Sequence, residues 1–292
     1  MEENKTPAYQ SPILMSAPNV NELVIKPVKK PKTIAVIGGG IAGMEAAIIL
    51  AKRGHSVTIF EKSGHLGGML VPASTPSFKE KTRKLVDWYI SQIAKYPNIK
   101  VENYMQINDV KDINADKIVV ATGAVTNTPK VKGIKRAIPA IDYLTGKAPV
   151  YGDKIIVIGG GLTGCEVAYD LIEKGHNVTI IESRVDLLMK NKKEPMTDQH
   201  SAYLRKYLTE NAEVYLNTKL HSIAYDGVLG SDEDGKFKLK CSHVIYALGL
   251  NPAPMSKKKM RSTGKIKVVG NAKSVGNIEE TILSVRKACI KM

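Results

Sequence analysis

Thr33–Glu61 reads TIAVIGGGIAGMEAAIILAKRGHSVTIFE, and Lys154–Glu182 reads KIIVIGGGLTGCEVAYDLIEKGHNVTIIE. Aligned without gaps at an offset of 121, they share 16 of 29 residues, so the chain carries two copies of one supersecondary unit. Each copy is a short apolar run, a glycine cluster, a helical pattern and a second β-rich run. In the first copy the strand is Ile34–Ile37, the turn Gly38–Gly40, the helix Ile41–Lys52 and the second strand Val57–Phe60, with Gly54 as helix stop. The second copy repeats this with Ile155–Ile158, Gly159–Gly161, a helix ending before Gly175, and Val178–Ile181. Strand, helix and strand at this length predict a right-handed crossover and a parallel sheet.

The glycine spacing gives each unit a chemistry. Gly38-x-Gly40-x-x-Gly43 and Gly159-x-Gly161-x-x-Gly164 follow a strand and open a helix, the context that a dinucleotide-binding turn requires. The first glycine allows the tight turn, the second lets a diphosphate approach the backbone, and the third lets helix pack on strand. The free N–H groups of the helix start then meet the phosphates, through Ile41 and Ala42 in one copy and Leu162 and Thr163 in the other. An acid ends the following strand in both, Glu61 and Glu182, each 21 residues after the middle glycine and placed for a ribose diol. Glu182 favours NADH, because a carboxylate repels a 2′-phosphate. Arg184 argues the other way, as a cation able to pair with one.

Around the repeat the reading is coarser. Residues 1–32 hold five prolines and no period, and read as an extended tail. Lys79–Lys95 reads as an amphipathic helix, Lys117–Ala121 and His243–Ala247 as buried strands, Asp226–Lys236 as hairpin turns in an antiparallel excursion, and Ile278–Ile290 as a closing helix.

Composition narrows the classes. The 292 residues suit two domains, and 43% hydrophobic residues can bury a substantial core. Cys165, Cys241 and Cys289 are scattered, with no CxxC, which excludes a disulfide-stapled fold, an all-cysteine cluster, a structural zinc site and a redox disulfide. No metal site is expected, and the compartment is expected to be reducing. The N-terminus lacks a signal-peptide layout, and the longest apolar stretch, Ile34–Leu50, contains four glycines and Glu45, so no membrane segment is read. Lys+Arg 43 against Asp+Glu 28 gives +15, concentrated after Asn251 around Ser256–Arg261. A solvated basic face or a surface for an acidic protein partner accounts for it; no nucleic-acid motif accompanies the charge. His55 and His176 follow the helix-ending glycines and read as structural residues of a surface turn. Cys165, in the second helix's first turn, reads as a small packing residue.

These motifs resemble those of the two-dinucleotide-binding-domain flavoproteins. The resemblance covers about 33–292, and is closest to the C-terminal half of the 2,4-dienoyl-CoA reductase, 2-enoate reductase and trimethylamine dehydrogenase family. It rests also on EKSGHLGGML (61–70), on Ala121-Thr122-Gly123, on Tyr246-Ala247-Leu248-Gly249 and on Val269-Gly270-Asn271. What it implies is an α/β fold of two Rossmann-like domains, the NAD domain inserted into a discontinuous FAD domain. The expected boundaries are 1–32 for the tail, 33–148 with 242–292 for FAD, and 149–241 for NAD(P)H. FAD would be held by Gly38, Gly40, Ile41, Ala42, Gly43, Glu61, Lys62, Gly67, Gly68, Met69, Thr122, Gly123, Asn271 and Ile278. NAD(P)H would meet Gly159, Gly161, Leu162, Thr163, Gly164, Glu182, Arg184 and Gly249. Glu166 matches a position near the nicotinamide, and the closing helix would aim its positive end, near Ile278, at the flavin.

The departures shape the function. Asn271 replaces the family's usual Asp, and 32 residues stand where the family carries an FMN barrel of about 250. The expectation is a cytoplasmic, complete electron-input subunit of a hetero-oligomer. It would take hydride from NADH to FAD and pass electrons to a separate FMN/iron–sulfur ene-reductase-type protein. The alternatives are a non-catalytic ADP- or FAD-holding scaffold and a free-standing NADH diaphorase or oxidase.

Overall fold

The computed structural model describes residues 25–191, 193–255 and 265–292. Most of the expected tail and the Ser256–Arg261 cluster lie outside the described residues. Among the described residues the chain divides into two compact units: residues 25–70, 81–124, 252–255 and 265–292, and residues 71–80, 125–191 and 193–251.

The first unit is built on a five-stranded parallel sheet in the order Ile266–Val268, Lys117–Val120, Thr33–Ile37, Ser56–Phe60, Ile99–Glu102. Its central strands are β-branched and covered on both faces, which is why they read as unbroken apolar runs. The helix Ile41–Lys52 buries ten of its twelve residues, Ala42 to Ala51, between this sheet and its neighbouring helices. Helices Glu80–Ala94 and Ile278–Cys289 complete the layer. Residues 25–32, the described part of the expected extended tail, have no helix or strand; Ile25 packs on the core, and Val28 N–H donates to the Arg53 carbonyl at 2.9 Å.

The second unit repeats the plan. Its parallel sheet runs Ile138–Pro139, His243–Tyr246, Lys154–Ile158, Asn177–Ile181, Glu213–Tyr215. Helices Leu162–Glu173 and Gln199–Asn211 lie in its core layer. A separate antiparallel sheet of Lys219–Ala224, Gly227–Asp232 and Gly235–Lys240 follows. The hairpin turns expected within Asp226–Lys236 fall at Tyr225-Asp226 and Glu233-Asp234, and the antiparallel excursion expected there is this three-stranded sheet.

The units change over at Ala124/Val125 and Asn251/Pro252. The expected boundaries at 148/149 and 241/242 would separate strand Ile138–Pro139, and divide His243–Tyr246, from the sheet whose hydrogen bonds they share. Residues 71–80 also group with the second unit, although they sit inside the first in sequence.

Candidate functional site

In both copies the carbonyl end of the first strand runs into a glycine turn whose lack of side chains is sterically enforced. Gly38 and Gly159 hold φ of 104° and 105°, where a side chain is strained. A Cβ on Gly38 would come within 2.5 Å of the Ala121 carbonyl oxygen, and one on Gly159 within 2.5 Å of that of Ala247. Thus Ala121-Thr122-Gly123 and Ala247-Leu248-Gly249 close against the two turns. Gly43 and Gly164 face the carbonyls of Gly38 and Gly159, with no room for a methyl group.

Each helix then begins without a protein cap. Gly40 and Gly161 occupy the N-cap positions and supply no side-chain acceptor, so first-turn N–H groups are available to an anion. Leu162 and Thr163 are exposed there, whereas Ala42 is buried and Ile41 partly so.

The two acids are clamped in the same way. Glu61, 6% exposed, accepts from Gly39 N at 2.7 Å through Oε2, and from Ser63 N and Oγ at 2.8 Å through Oε1. Glu182, 8% exposed, accepts from Gly160 N at 2.6 Å through Oε2, and from Arg184 N at 2.9 Å and Ser183 Oγ at 3.1 Å through Oε1. Each carboxylate is thereby aimed across its glycine turn with lone pairs left for a diol. Lys62 is exposed beside the first.

Sequence reasoning missed this clamp. Ser63 and Arg184 are equivalent at the offset of 121, and both use the backbone N–H; the Arg184 guanidinium turns instead to the Met189 carbonyl at 2.8 Å. Leu66 and Leu187, also equivalent, each lie where a Cβ on Gly39 or Gly160 would reach to 2.5 Å. The loop after each acid thus returns to its glycine turn, with Gly67 N donating to Gly39 O at 2.9 Å and Leu188 N to Gly160 O at 2.7 Å. Gly68, at φ 52°, comes so close to Gly40 that a Cβ would lie 2.9 Å from its Cα, and Met69 follows half-buried. The shared offset was the signal that could have found these seats.

In the second unit Glu182, Gly159, Ser183, Asn217, Thr218 and Lys219 line a cavity with the apolar Ile158, Ile181, Leu220 and Leu248. Gly249 sits at the mouth of the strand with φ 82°, its carbonyl accepting from Asn127 N at 3.0 Å. Glu166 opens the second helix. Its Oε1 is paired with the Lys79 ammonium and lies 3.1 Å from His200 Nε2. The Phe78 ring meets the Tyr169 ring edge-on at a centroid distance of 4.8 Å beside it.

In the first unit Thr122 Oγ1 donates to the Ala253 carbonyl at 2.6 Å, and Gly123 takes φ 74°. Asn271 Oδ1 accepts from Gly276 N and Thr281 Oγ1, both at 3.1 Å, which tie its loop to the closing helix. That helix does not present a bare positive end at Ile278. Asn277 and Glu280 form a capping box, and Glu279 and Glu280 place two carboxylates in the first turn.

The other titratable candidates are structural. Burial pushes the Cys165 thiol up to about 12, with Glu182 and Glu166 adding to the rise, and its Sγ lies 3.3 Å from the Gly160 carbonyl. His55 is not on the surface as expected; it is fully buried, and burial with Arg53 and Lys32 nearby lowers its pKa. His176 Nδ1 meets the Gly152 carbonyl at 2.8 Å. Among the described residues no group of His, Cys, Asp and Glu is arranged to hold a metal ion. No helix among them is long and apolar enough to cross a membrane.

Two glycine turns, two uncapped helix starts and two clamped acids define a protein with two dinucleotide pockets, and the chain belongs to the pyridine nucleotide-disulphide oxidoreductase family, whose sequence profile matches residues 32–274. The fold of this family is the FAD- and NAD(P)H-binding Rossmann type, and both turns fit a diphosphate. Within that class it is 40% identical over 168 residues to the cinnamate reductase of Clostridium sporogenes, covering 57% of this chain and 25% of that one. It is 33% identical to the NADH oxidase of Thermoanaerobacter brockii over 90% of this chain and 41% of the relative. The structure of a 2-naphthoyl-CoA reductase in complex with 2-naphthoyl-CoA superposes with a TM-score of 0.84 at 27% identity, covering 92% of this chain and 41% of the other. The resemblance to the ene-reductase group read from the motifs therefore holds. The chain spans less than half the length of each of these relatives.

Proposed function

We propose that the chain takes electrons from NADH to FAD and delivers them to a separate redox protein, an FMN/iron–sulfur subunit of the ene-reductase type. The observation that supports this most directly is the duplicated pocket: one chain has two equivalent seats, each with its own phosphate turn and ribose acid. When both are bound, FAD supplies the two-electron acceptor and the nicotinamide supplies the hydride.

The first copy is assigned to FAD and the second to NADH. Gly38, Gly40, Gly43 and the N–H groups at Ile41 and Ala42 would hold one diphosphate, and Glu61 its adenosine ribose. Lys62, Gly67, Gly68, Met69, Thr122, Gly123, Asn271 and Ile278 are assigned to the rest of the flavin site. Gly159, Gly161, Leu162, Thr163, Gly164, Glu182, Arg184 and Gly249 would do the same for the nicotinamide dinucleotide. NADH is preferred because Glu182 faces its cavity while the Arg184 guanidinium is engaged by a loop carbonyl. Glu166 is assigned to the nicotinamide side as a positioning residue, held by Lys79 and His200. The setting proposed is cytoplasmic and hetero-oligomeric, the former in keeping with unpaired cysteines.

A second reading, a nucleotide-holding scaffold, is favoured by Asn271, a neutral carboxamide whose oxygen is engaged by Gly276 N and by Thr281 Oγ1 of the closing helix. The visible spectrum of the purified chain, followed by anaerobic addition of NADH and then NADPH, separates the two. A flavin band bleached faster by NADH is expected. A chain that remains colourless after incubation with FAD would leave the scaffold standing. A flavoprotein that turns over only with oxygen, whatever reductase it is paired with, would make it an oxidase.

A further inference from the structure

Among the described residues only Tyr104, Leu188 and Asn217 combine a side chain with positive φ. Tyr104 and Asn217 are counterparts in the repeat. Glu61 N donates to Glu102 O as Glu182 N does to Tyr215 O, both at 2.9 Å. Tyr104 N donates to Ser63 O at 3.1 Å as Asn217 N does to Arg184 O at 2.9 Å. Met105 N then donates to Glu61 O as Thr218 N does to Glu182 O, both at 2.9 Å. The fold therefore demands a left-handed residue just beyond the strand that flanks each acid, with φ of 57° and 50°.

Asparagine tolerates that conformation; a bulky aromatic residue does not. Asn217 is thus the expected occupant, and it lines the cavity beside Glu182. Tyr104 is strained, and the strain is not repaid by burial, since the residue is 82% exposed. Its ring lies over Gly64, where any side chain would collide with it. A strained backbone that holds a flat, exposed ring next to a clamped ribose acid is a feature kept for something outside the chain.

We propose that Tyr104 is a cofactor-binding residue whose ring forms a stacking face for the adenine of the dinucleotide held by Glu61. This rests on the reading that the first copy holds FAD. Base–aromatic stacking of the usual strength corresponds to roughly a 5- to 100-fold effect on affinity. The second copy, with Asn217, has no such face, so the two pockets differ in how they grip adenine.

The test is FAD and FMN binding to the full chain stripped of flavin, for wild type, Tyr104→Phe and Tyr104→Asn. FMN lacks the adenosine end. Tyr104→Asn is expected to weaken FAD by roughly 5- to 100-fold, leave FMN unchanged, and melt no lower than wild type without flavin, because asparagine relieves the backbone. Tyr104→Phe should bind FAD like wild type. Unchanged FAD affinity in Tyr104→Asn, an equal loss for FMN, or a lower flavin-free melting temperature would each overturn the proposal. Failure of wild type to take up FAD would instead overturn the assignment of the first copy.

Discussion

At the scale of single residues, the two acids share one geometry, which the proposed function puts to use for two different nucleotides. Glu61 and Glu182 are both clamped by a turn N–H and by the N–H two residues on, so their direction is set by backbone and not by neighbouring cations. Lys219 and Ser183 share Glu182's cavity. Replacing Glu182 with Ser removes the charge that a 2′-phosphate would meet and leaves Lys219 on the wall. A hydrogen bond to a charged group is worth about 1.5–3 kcal/mol, so Glu182→Ser should raise the KM for NADH by roughly 10- to 100-fold while that for NADPH falls. Steady-state reduction of a dye with each nucleotide measures both. If the variant kept its preference for NADH, selectivity would have to lie elsewhere in the pocket.

At the scale of elements, three helices of the first unit are joined through one buried carboxylate. Glu45 on Ile41–Lys52 accepts from Arg286 Nε on Ile278–Cys289 at 2.6 Å and from Tyr89 Oη on Glu80–Ala94 at 2.8 Å. All three side chains are almost completely buried. Removing one partner of such a pair costs about 3–5 kcal/mol because a charge is left in the core, whereas replacing both by apolar groups is often neutral. Arg286→Met should therefore lower the urea midpoint sharply, and Glu45→Met with Arg286→Met should recover most of the loss. A single variant as stable as wild type would show that the pair is solvated.

This network also marks the limit of what the sequence discloses. The repeat, both glycine turns, both acids and the helices Ile41–Lys52, Glu80–Ala94, Leu162–Glu173 and Ile278–Cys289 follow from local periodicity and glycine placement, because those patterns encode the crossover directly. Partners 241 residues apart, such as Arg286 and Glu45, leave no local trace. The same holds for the grouping of residues 71–80 with the second unit and for helix Gln199–Asn211, which the local pattern did not disclose. His55 looked like a surface residue because it follows the helix-ending Gly54, yet it is fully buried, with its Nδ1 accepting from Lys32 N at 3.1 Å and its carbonyl from Asn98 Nδ2 at 2.9 Å.

At the scale of the whole molecule, the open matter is how electrons leave. A dithiol route would need two thiols able to pair and ionise. The three cysteines are free. Burial pushes Cys165 and Cys289 up to about 12 and Cys241 up to about 11. A thiol whose pKa lies near 11 is ionised to about one part in a thousand at pH 8, and only the thiolate is nucleophilic. Native protein at pH 8 should accordingly react very slowly with a thiol reagent. Cys241, half-buried, should quicken about tenfold per pH unit as its thiolate fraction grows below pH 11, while Cys165 and Cys289 wait for denaturant. Electrons on the proposed route pass from flavin to partner without these sulfurs, so Cys165→Ala/Cys241→Ser/Cys289→Ala should keep NADH-dependent dye reduction within about twofold, a change of less than 0.5 kcal/mol in barrier. Loss of that reduction in a variant that still binds flavin would return one of the sulfurs to the pathway and remove the need for a direct flavin-to-partner step.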